Sequence, residues 1–301
     1  MPIMTRAFDL QGHRGARGLF PENTLEGFIA TCALGVDSLE LDVAITADGV
    51  AVVSHDALLH GDLTRDADGA WLSDTGPVIR HLTFAETQRF DVGRLRPGSR
   101  TATLFPAQVP HDGARMPTLE AVFRATPGVR IDAEIKTLPD RPAVTVAPAV
   151  MADAIVAAAA AAGALARLVV RSFDWRGLAH LRRTRPEVPL IWLTSPTEAA
   201  ARGVWWNMPG FTGSVAQAVA AAAGVTSGWA PGWAPQHASI TPPDIAEAHA
   251  LGLKILPWTV NTPADMNRLI AWGVDGLCSD RPDLVRIAMH AAGIATPSPR
   301  D

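Results

Sequence analysis

Four side chains near the start of the chain have the types and spacing of a hydrolytic site: His13, Glu40, Asp42 and His55. Side chains two apart on a strand point to one face. Glu40 and Asp42 in SLELDVAIT therefore project together, as do Asp9, Gln11 and His13 in DLQGH. An acid pair separated by one residue can hold a hard divalent cation through oxygen while an adjacent imidazole moves a proton. An isolated His-Arg-Gly is ordinarily a loop, and an isolated Glu-x-Asp an exposed strand edge. Here Leu39, Leu41 and Val43 interleave with the acids, so the strand is buried on its other face and the carboxylates look into an enclosed space.

A hairpin has to bring His55 to that pair. Asp48-Gly49 separates SLELDVAIT from VAVVSHD and suits the positive φ of a type I′ turn. A two-residue turn pairs Ala47 with Val50, and counting outward sets His55 opposite Asp42, on the face of Glu40. Arg14 ends the first strand beside His13, where a fixed guanidinium can meet a phosphate, whereas Arg17 reads as a loop charge. Asn23 and Glu26 have the spacing of a helix cap and its reciprocal partner for a helix over residues 25–34. Further on, VRIDAEIK alternates Arg130, Asp132, Glu134 and Lys136 with apolar residues, which gives one face a charged row.

The segments HRGARGLFPENT, ELDV, VVSHD, RMPTLEAVF, DAEIK, VRSF, LPWTVN and GVDGLCSD follow one another from about residue 8 to residue 284. In that order they resemble the signature of the glycerophosphodiester phosphodiesterases, metal-dependent (β/α)8-barrel hydrolases. The resemblance implies that Glu134 joins Glu40 and Asp42 around one Mg²⁺ or Ca²⁺. It also implies that Lys136 contacts phosphate together with Arg14, and that Trp258 lies against the substrate. His13 and His55 then serve as general acid and base, in an order the residues leave open. The reaction implied is hydrolysis of small-molecule glycerophosphodiesters to glycerol 3-phosphate and an alcohol. Lysophospholipids are the alternative substrate, with the tryptophans supplying an apolar groove. A non-catalytic barrel that only binds phosphorylated glycerol is expected to have lost at least one of His13, His55, Glu40, Asp42 and Glu134, and all are present.

Outside these motifs strands and helices alternate, as in a parallel sheet covered by helices. Nine strands are counted, at 9–13, 38–46, 50–56, 129–136, 168–173, 190–193, 225–233, 254–260 and 276–279. The third returns from a hairpin and runs antiparallel, so eight remain as staves of a TIM barrel. Residues 57–116 are rich in Gly, Asp, Arg and Pro and follow His55 directly. They read as an inserted subdomain, which the resemblance places over the barrel mouth, within a single domain spanning residues 1–301. His60, His81 and His111 in that insertion lack metal-ligand spacing and read as surface or loop histidines, not ligands. Asp280 and Asp283 are expected to cap the last helix, and the tail after His290 to fray.

The 301 residues, 48% hydrophobic and 19% charged, describe a globular chain with material for a large core. A net charge of −4 without basic runs argues against a nucleic-acid partner. Cys32 and Cys278 fall inside buried elements and read as reduced core thiols. The longest apolar run, residues 154–166, is mostly alanine and too short to span a bilayer, so no stable membrane insertion is expected. The chain enters its first strand without a leader pattern, which suits a cytoplasmic protein, or a periplasmic or secreted one whose signal peptide has been removed.

Overall fold

The second strand, SLELDVAI, is buried at every position, so its acids and its aliphatic residues both face packed surroundings. A closed sheet wrapped by helices does this to a strand, since one face lines the barrel and the other meets the helical layer. The computed structural model describes residues 8–73, 75–224 and 230–300. Its strands are β1 (Asp9–His13), β2 (Ser38–Ile45), β3 (Ala51–Val53), β4 (Arg130–Ile135), β5 (Leu168–Ser172), β6 (Leu190–Thr194), β7 (Gly232–Pro235), β8 (Lys254–Ile255) and β9 (Gly276–Ser279). The order around the sheet is β8-β7-β6-β5-β4-β2-β1-β9, with every neighbour parallel, while β3 lies off this path and pairs antiparallel with β2. Backbone bonds from Asp275 to Ile255, from Cys278 to Pro257 and from Val260 to Cys278 close the seam between β8 and β9. The fold is a (β/α)8 barrel.

The inside of the barrel has a polar half and an apolar half. From β5 to β8, Val169, Ile191, Leu193, Ala234 and Leu256 form a small cluster of their own, apart from the large core between sheet and helices. Across β1, β2, β4 and β5 the interior is charged. Arg130 holds Asp9 and Asp132, Gln11 donates to both acids, and the fully buried Arg171 donates to Gln11 and Asp132. Burying so many charges is tolerable because each meets an opposite partner in fixed geometry. This layer forms the floor on which the candidate site rests.

Three expected elements differ in detail. The hairpin between β2 and β3 pairs Val43 with Val53 and Ile45 with Ala51, so its loop is Ala47-Asp48-Gly49. Only Gly49 has positive φ (+82°), and the Thr46 hydroxyl bonds both Asp48 and the Val50 amide. That side-chain bracket selects a three-residue loop over the two-residue type I′ turn. The seventh stave is Gly232–Pro235; the expected stretch from Val225, with Trp229, includes residues 225–229, outside the described residues. The eighth has only two residues in regular pairing, because Pro257 brings no amide hydrogen to a ladder.

Residues 57–116 hold short helices, Phe84–Thr87 and Arg100–Leu104, and a miniature core of Leu59, Ile79 and Met116 against Ala44 and Val52. Arg65 ties Asp91 to Asp112, and Arg94 takes the second Asp112 oxygen. The tail packs instead of fraying: the Arg300 amide donates to the Cys32 carbonyl, and Arg286 bonds the carbonyls of Gly35 and Pro297. Cys32 and Cys278 are free and buried. Among the described residues no helix is long and apolar enough to cross a membrane.

Candidate active site

Parallel register assembles the acids. His13 pairs with Glu40 across β1 and β2, and Asp42 pairs with Glu134 across β2 and β4. Oxygens of Glu40, Asp42 and Glu134 consequently lie within 4.8 Å of one another, all three residues buried. Lys136 reaches Glu134 at 2.9 Å and Asp42 at 3.3 Å, and Arg14 Nε lies 3.2 Å from Asp42. Arg14 also bonds Glu22, and its own amide donates to Glu40. The loop that turns Arg14 inward has positive φ at Arg14, Gly15 and Ala16 in succession, a conformation non-glycine residues adopt only when their surroundings dictate it.

The three carboxylates do not titrate alike. Burial, followed by the neighbouring Asp42, pushes Glu40 up to about 8. Burial also raises Glu134, against the opposing pull of Lys136. Burial works on Asp42 too, but Lys136 and Arg14 outweigh it and hold that carboxyl well below the ordinary range. The set is thus over-supplied with negative charge and keeps a proton where a cation could sit. Oxygen-only donors at this separation suit Mg²⁺ or Ca²⁺. Asn23 Oδ1, buried beside Asp42 and without a hydrogen-bond partner, adds a neutral oxygen to the same surroundings. The residues fit a hard divalent ion.

This displaced proton has a measurable signature. Without metal, folded Glu40 keeps its proton up to about pH 8, whereas the unfolded chain releases it near the ordinary carboxylate value. Its contribution to stability is therefore present at low pH and lost as pH rises through about 8. His13, held down at about 4, acts in the opposite sense only below its unfolded value of 6.5. Between about pH 6.5 and pH 8 the Glu40 effect is unopposed by His13. The rise in Tm on adding Mg²⁺ or Ca²⁺ to chelated protein is expected to be larger at about pH 8 than at about pH 6.5; equal rises would mean that no proton is displaced.

His13 is buried, its Nδ1 lies 2.5 Å from Asp280 Oδ1, and its Nε2 faces Glu40 Oε2 at 3.8 Å. Burial dominates its titration, so the ring is neutral near pH 7 despite Asp280. His55 sits differently from expectation. Asp42 lies opposite Ser54, whose amide donates to the Asp42 carbonyl, so strand parity would have turned His55 away. Regular pairing stops at Val53, however, and the chain bends. His55 therefore still shares a cavity wall with Glu134 and Lys136. Its Nδ1 pairs with Asp56 Oδ1 at 2.8 Å.

That cavity, of about 600 Å³, runs outward from Glu134 between Leu58, Leu138, Phe173 and Trp205. Residues His55 to His60 and Thr75 contribute to its wall, so the insertion reaches it. Trp258 stands behind Phe173, edge to face at 5.3 Å, with its indole N–H on the Ala234 carbonyl. His60 lines the cavity, whereas His111 is exposed.

Several residues expected to be structural belong to the site. Thr24, not Asn23, caps the first helix by accepting from Gly27; Asn23 adopts positive φ and donates to Asp42. Arg17 is no free loop charge, since it bonds Asp280 and reaches Glu22. Asp280 does not cap the last helix, whose N-cap residue is Arg281, and Asp283 pairs with Arg281. Glu22, Asn261 and Arg171 gave no signal in strand parity, because their side chains reach the site from loops or from beneath it.

A profile of the glycerophosphoryl diester phosphodiesterase family matches residues 13–284. The glycerophosphodiester phosphodiesterase of Caldanaerobacter subterraneus subsp. tengcongensis is 26% identical over 278 residues, 90% of this chain and 93% of that protein. A candidate glycerophosphoryl diester phosphodiesterase from Silicibacter pomeroyi DSS-3, solved by crystallography, superposes with a TM-score of 0.86 at 36% identity, covering 96% of this chain and 95% of its own. An Oleispira antarctica phosphodiesterase, solved with its product sn-glycerol-3-phosphate, shares the fold at TM-score 0.66 and 20% identity, over 94% of this chain and 96% of its own. The matched span runs from His13 through the three carboxylates to the last barrel strand, and the chain belongs to the glycerophosphoryl diester phosphodiesterase family, enzymes that hydrolyse glycerophosphodiesters.

Proposed function

We propose that this phosphodiesterase releases glycerol 3-phosphate and a free alcohol, using one divalent ion held by Glu40, Asp42 and Glu134 and two histidines that move protons. The observation that carries this reading is the triad itself: three buried carboxylates within 4.8 Å of one another, with His13 beside Glu40 and His55 on the adjoining wall. When bound, Mg²⁺ or Ca²⁺ neutralises phosphate charge and polarises the phosphoryl oxygen. Arg14 and Lys136 bring two further positive charges to the phosphate position. His13, kept neutral by burial with Nε2 turned toward the triad, takes the proton from the attacking water. His55, more open and beside Asp56, protonates the leaving alkoxide. Phe173 walls the substrate's organic part and is backed edge to face by Trp258.

A second reading rests on the cavity, whose apolar wall of Leu58, Leu138, Phe173 and Trp205 could take an acyl chain and make a lysophospholipid the better substrate. One experiment separates the two. Under a single metal condition, kcat/KM is expected to favour glycerophosphocholine over both lysophosphatidylcholine and bis(p-nitrophenyl) phosphate, because glycerol hydroxyls then orient the phosphate. A lysolipid preference of tenfold or more, about 1.4 kcal/mol in the transition state, would install lysophospholipase D activity instead.

A further inference from the structure

The carboxylate behind His13 is built to higher specification than packing requires. Asp280 is 1% exposed, yet each of its oxygens is bonded. Oδ1 meets His13 Nδ1 at 2.5 Å and Arg17 Nε at 2.8 Å, and Oδ2 accepts from Asn261 Nδ2 at 2.6 Å. The Asn261 amide turns its own oxygen to the Asp280 backbone N–H at 3.0 Å, which fixes the acid from both ends. The main chain adds a further tie, since the Gly18 amide donates to the Asp280 carbonyl at 3.0 Å. Only glycine allows that approach, because a Cβ on residue 18 would lie 2.7 Å from the same oxygen. Burying an ionised carboxylate is costly unless charge-assisted bonds replace its water. Helix capping does not account for it, since the last helix takes no capping bond from Asp280.

We propose that Asp280 is the positioning residue for His13, fixing its tautomer and ring orientation, and that Arg17 and Asn261 hold Asp280 in place. A carboxylate can only accept at this position, so Nδ1 carries the hydrogen and the lone pair is left on Nε2, the nitrogen facing Glu40. The same logic fixes the imidazole of serine hydrolases. Asp280 acts through His13 and needs no contact with substrate. The chain of support continues into the insertion, because the Arg17 guanidinium stacks 4.8 Å over Phe105 and the Arg17 carbonyl accepts from Gln108 at 2.7 Å. Residues 57–116 thereby brace the proton-transfer machinery as well as lining the cavity.

The proposal rests on the acid–base reading of His13, and two measurements on the metal-loaded enzyme keep the two apart. In the parent, long-range ¹⁵N–¹H spectra are expected to show the His13 ring protonated at Nδ1. In Asp280→Asn, whose amide can donate to Nδ1, the hydrogen should move to Nε2. That variant is expected to lose about 10²-fold in kcat, with KM and metal affinity within about threefold of the parent, whereas a merely structural role would move all three together. An Nε2–H tautomer in the parent overturns the proposal even if the variant does not fold. A kcat within about threefold of the parent in Asp280→Asn overturns it as well. The ring signature needs no turnover, so failure of the acid–base reading itself is seen separately, as an active His13→Ala.

Discussion

His13→Ala and His55→Ala are each expected to cut kcat on glycerophosphocholine at least about 10²-fold, the scale at which a positioned proton donor or acceptor contributes. Their losses are expected to part company when the leaving group changes. The alkoxide leaving from glycerophosphocholine is a strong base and needs a proton as the P–O bond breaks, whereas p-nitrophenolate leaves without one. If His55 supplies that proton, His55→Ala should recover most of its deficit on bis(p-nitrophenyl) phosphate. If His13 removes the proton from an attacking water, His13→Ala should stay impaired on both substrates, because attack is common to them. Burial favours this assignment, since it pushes His13 down to about 4 and keeps the ring ready to accept at neutral pH. The reverse pattern would exchange the two roles. Parent-like turnover by either variant would make that histidine structural.

Strand parity anticipated which side chains converge wherever they come from regular barrel strands. His13, Glu40, Asp42 and Glu134 lie in β1, β2 and β4, and the register that brings their oxygens together is ordinary parallel pairing. Parity also showed that the charged row of VRIDAEIK faces inward, which the floor of Asp132, Arg130 and Arg171 explains. It failed at the hairpin. The Asp48-Gly49 pair suggested a two-residue turn, but the Thr46 hydroxyl recruits a third residue into the loop, and Asp42 lies opposite Ser54. His55 reaches the cavity by a bend after the strand, so the expected placement near the acids came about by a different route.

What composition and spacing could not reveal were contacts between segments far apart in sequence. Asp280 lies 267 positions from His13, and a local reading naturally assigned it to the helix that follows. Arg17 looked like a loop charge because its strongest partners are remote: beyond Glu22, the Asp280 carboxylate arrives from just after the last strand and the Phe105 ring from the insertion. Asn23 was a plausible cap by residue type, but Thr24 takes the cap and frees Asn23 to turn inward at positive φ. In each case a generic local role was displaced by a tertiary one made available only when the barrel closed.

Glu134→Gln tests the metal reading most directly. The substitution keeps side-chain volume and the hydrogen-bonding shape while removing one anionic oxygen from the triad, so the fold should persist. Lys136 loses its 2.9 Å carboxylate partner but keeps Asp42 at 3.3 Å, which limits the damage to local electrostatics. Glu40 and Asp42 alone offer a weaker cage for a hard cation, and turnover is expected to fall about 10²-fold or more at a metal concentration that saturates the parent. Chelation should abolish activity in the parent, and added Mg²⁺ or Ca²⁺ should restore it. In the variant, restoration should need far more metal, which distinguishes a lost ligand from a misplaced phosphate contact: a phosphate contact would raise KM for substrate and leave the metal requirement unchanged. Activity that survives both chelation and Glu134→Gln would remove the metal from the mechanism and leave side chains such as Arg14 and Lys136 to meet the phosphate charge.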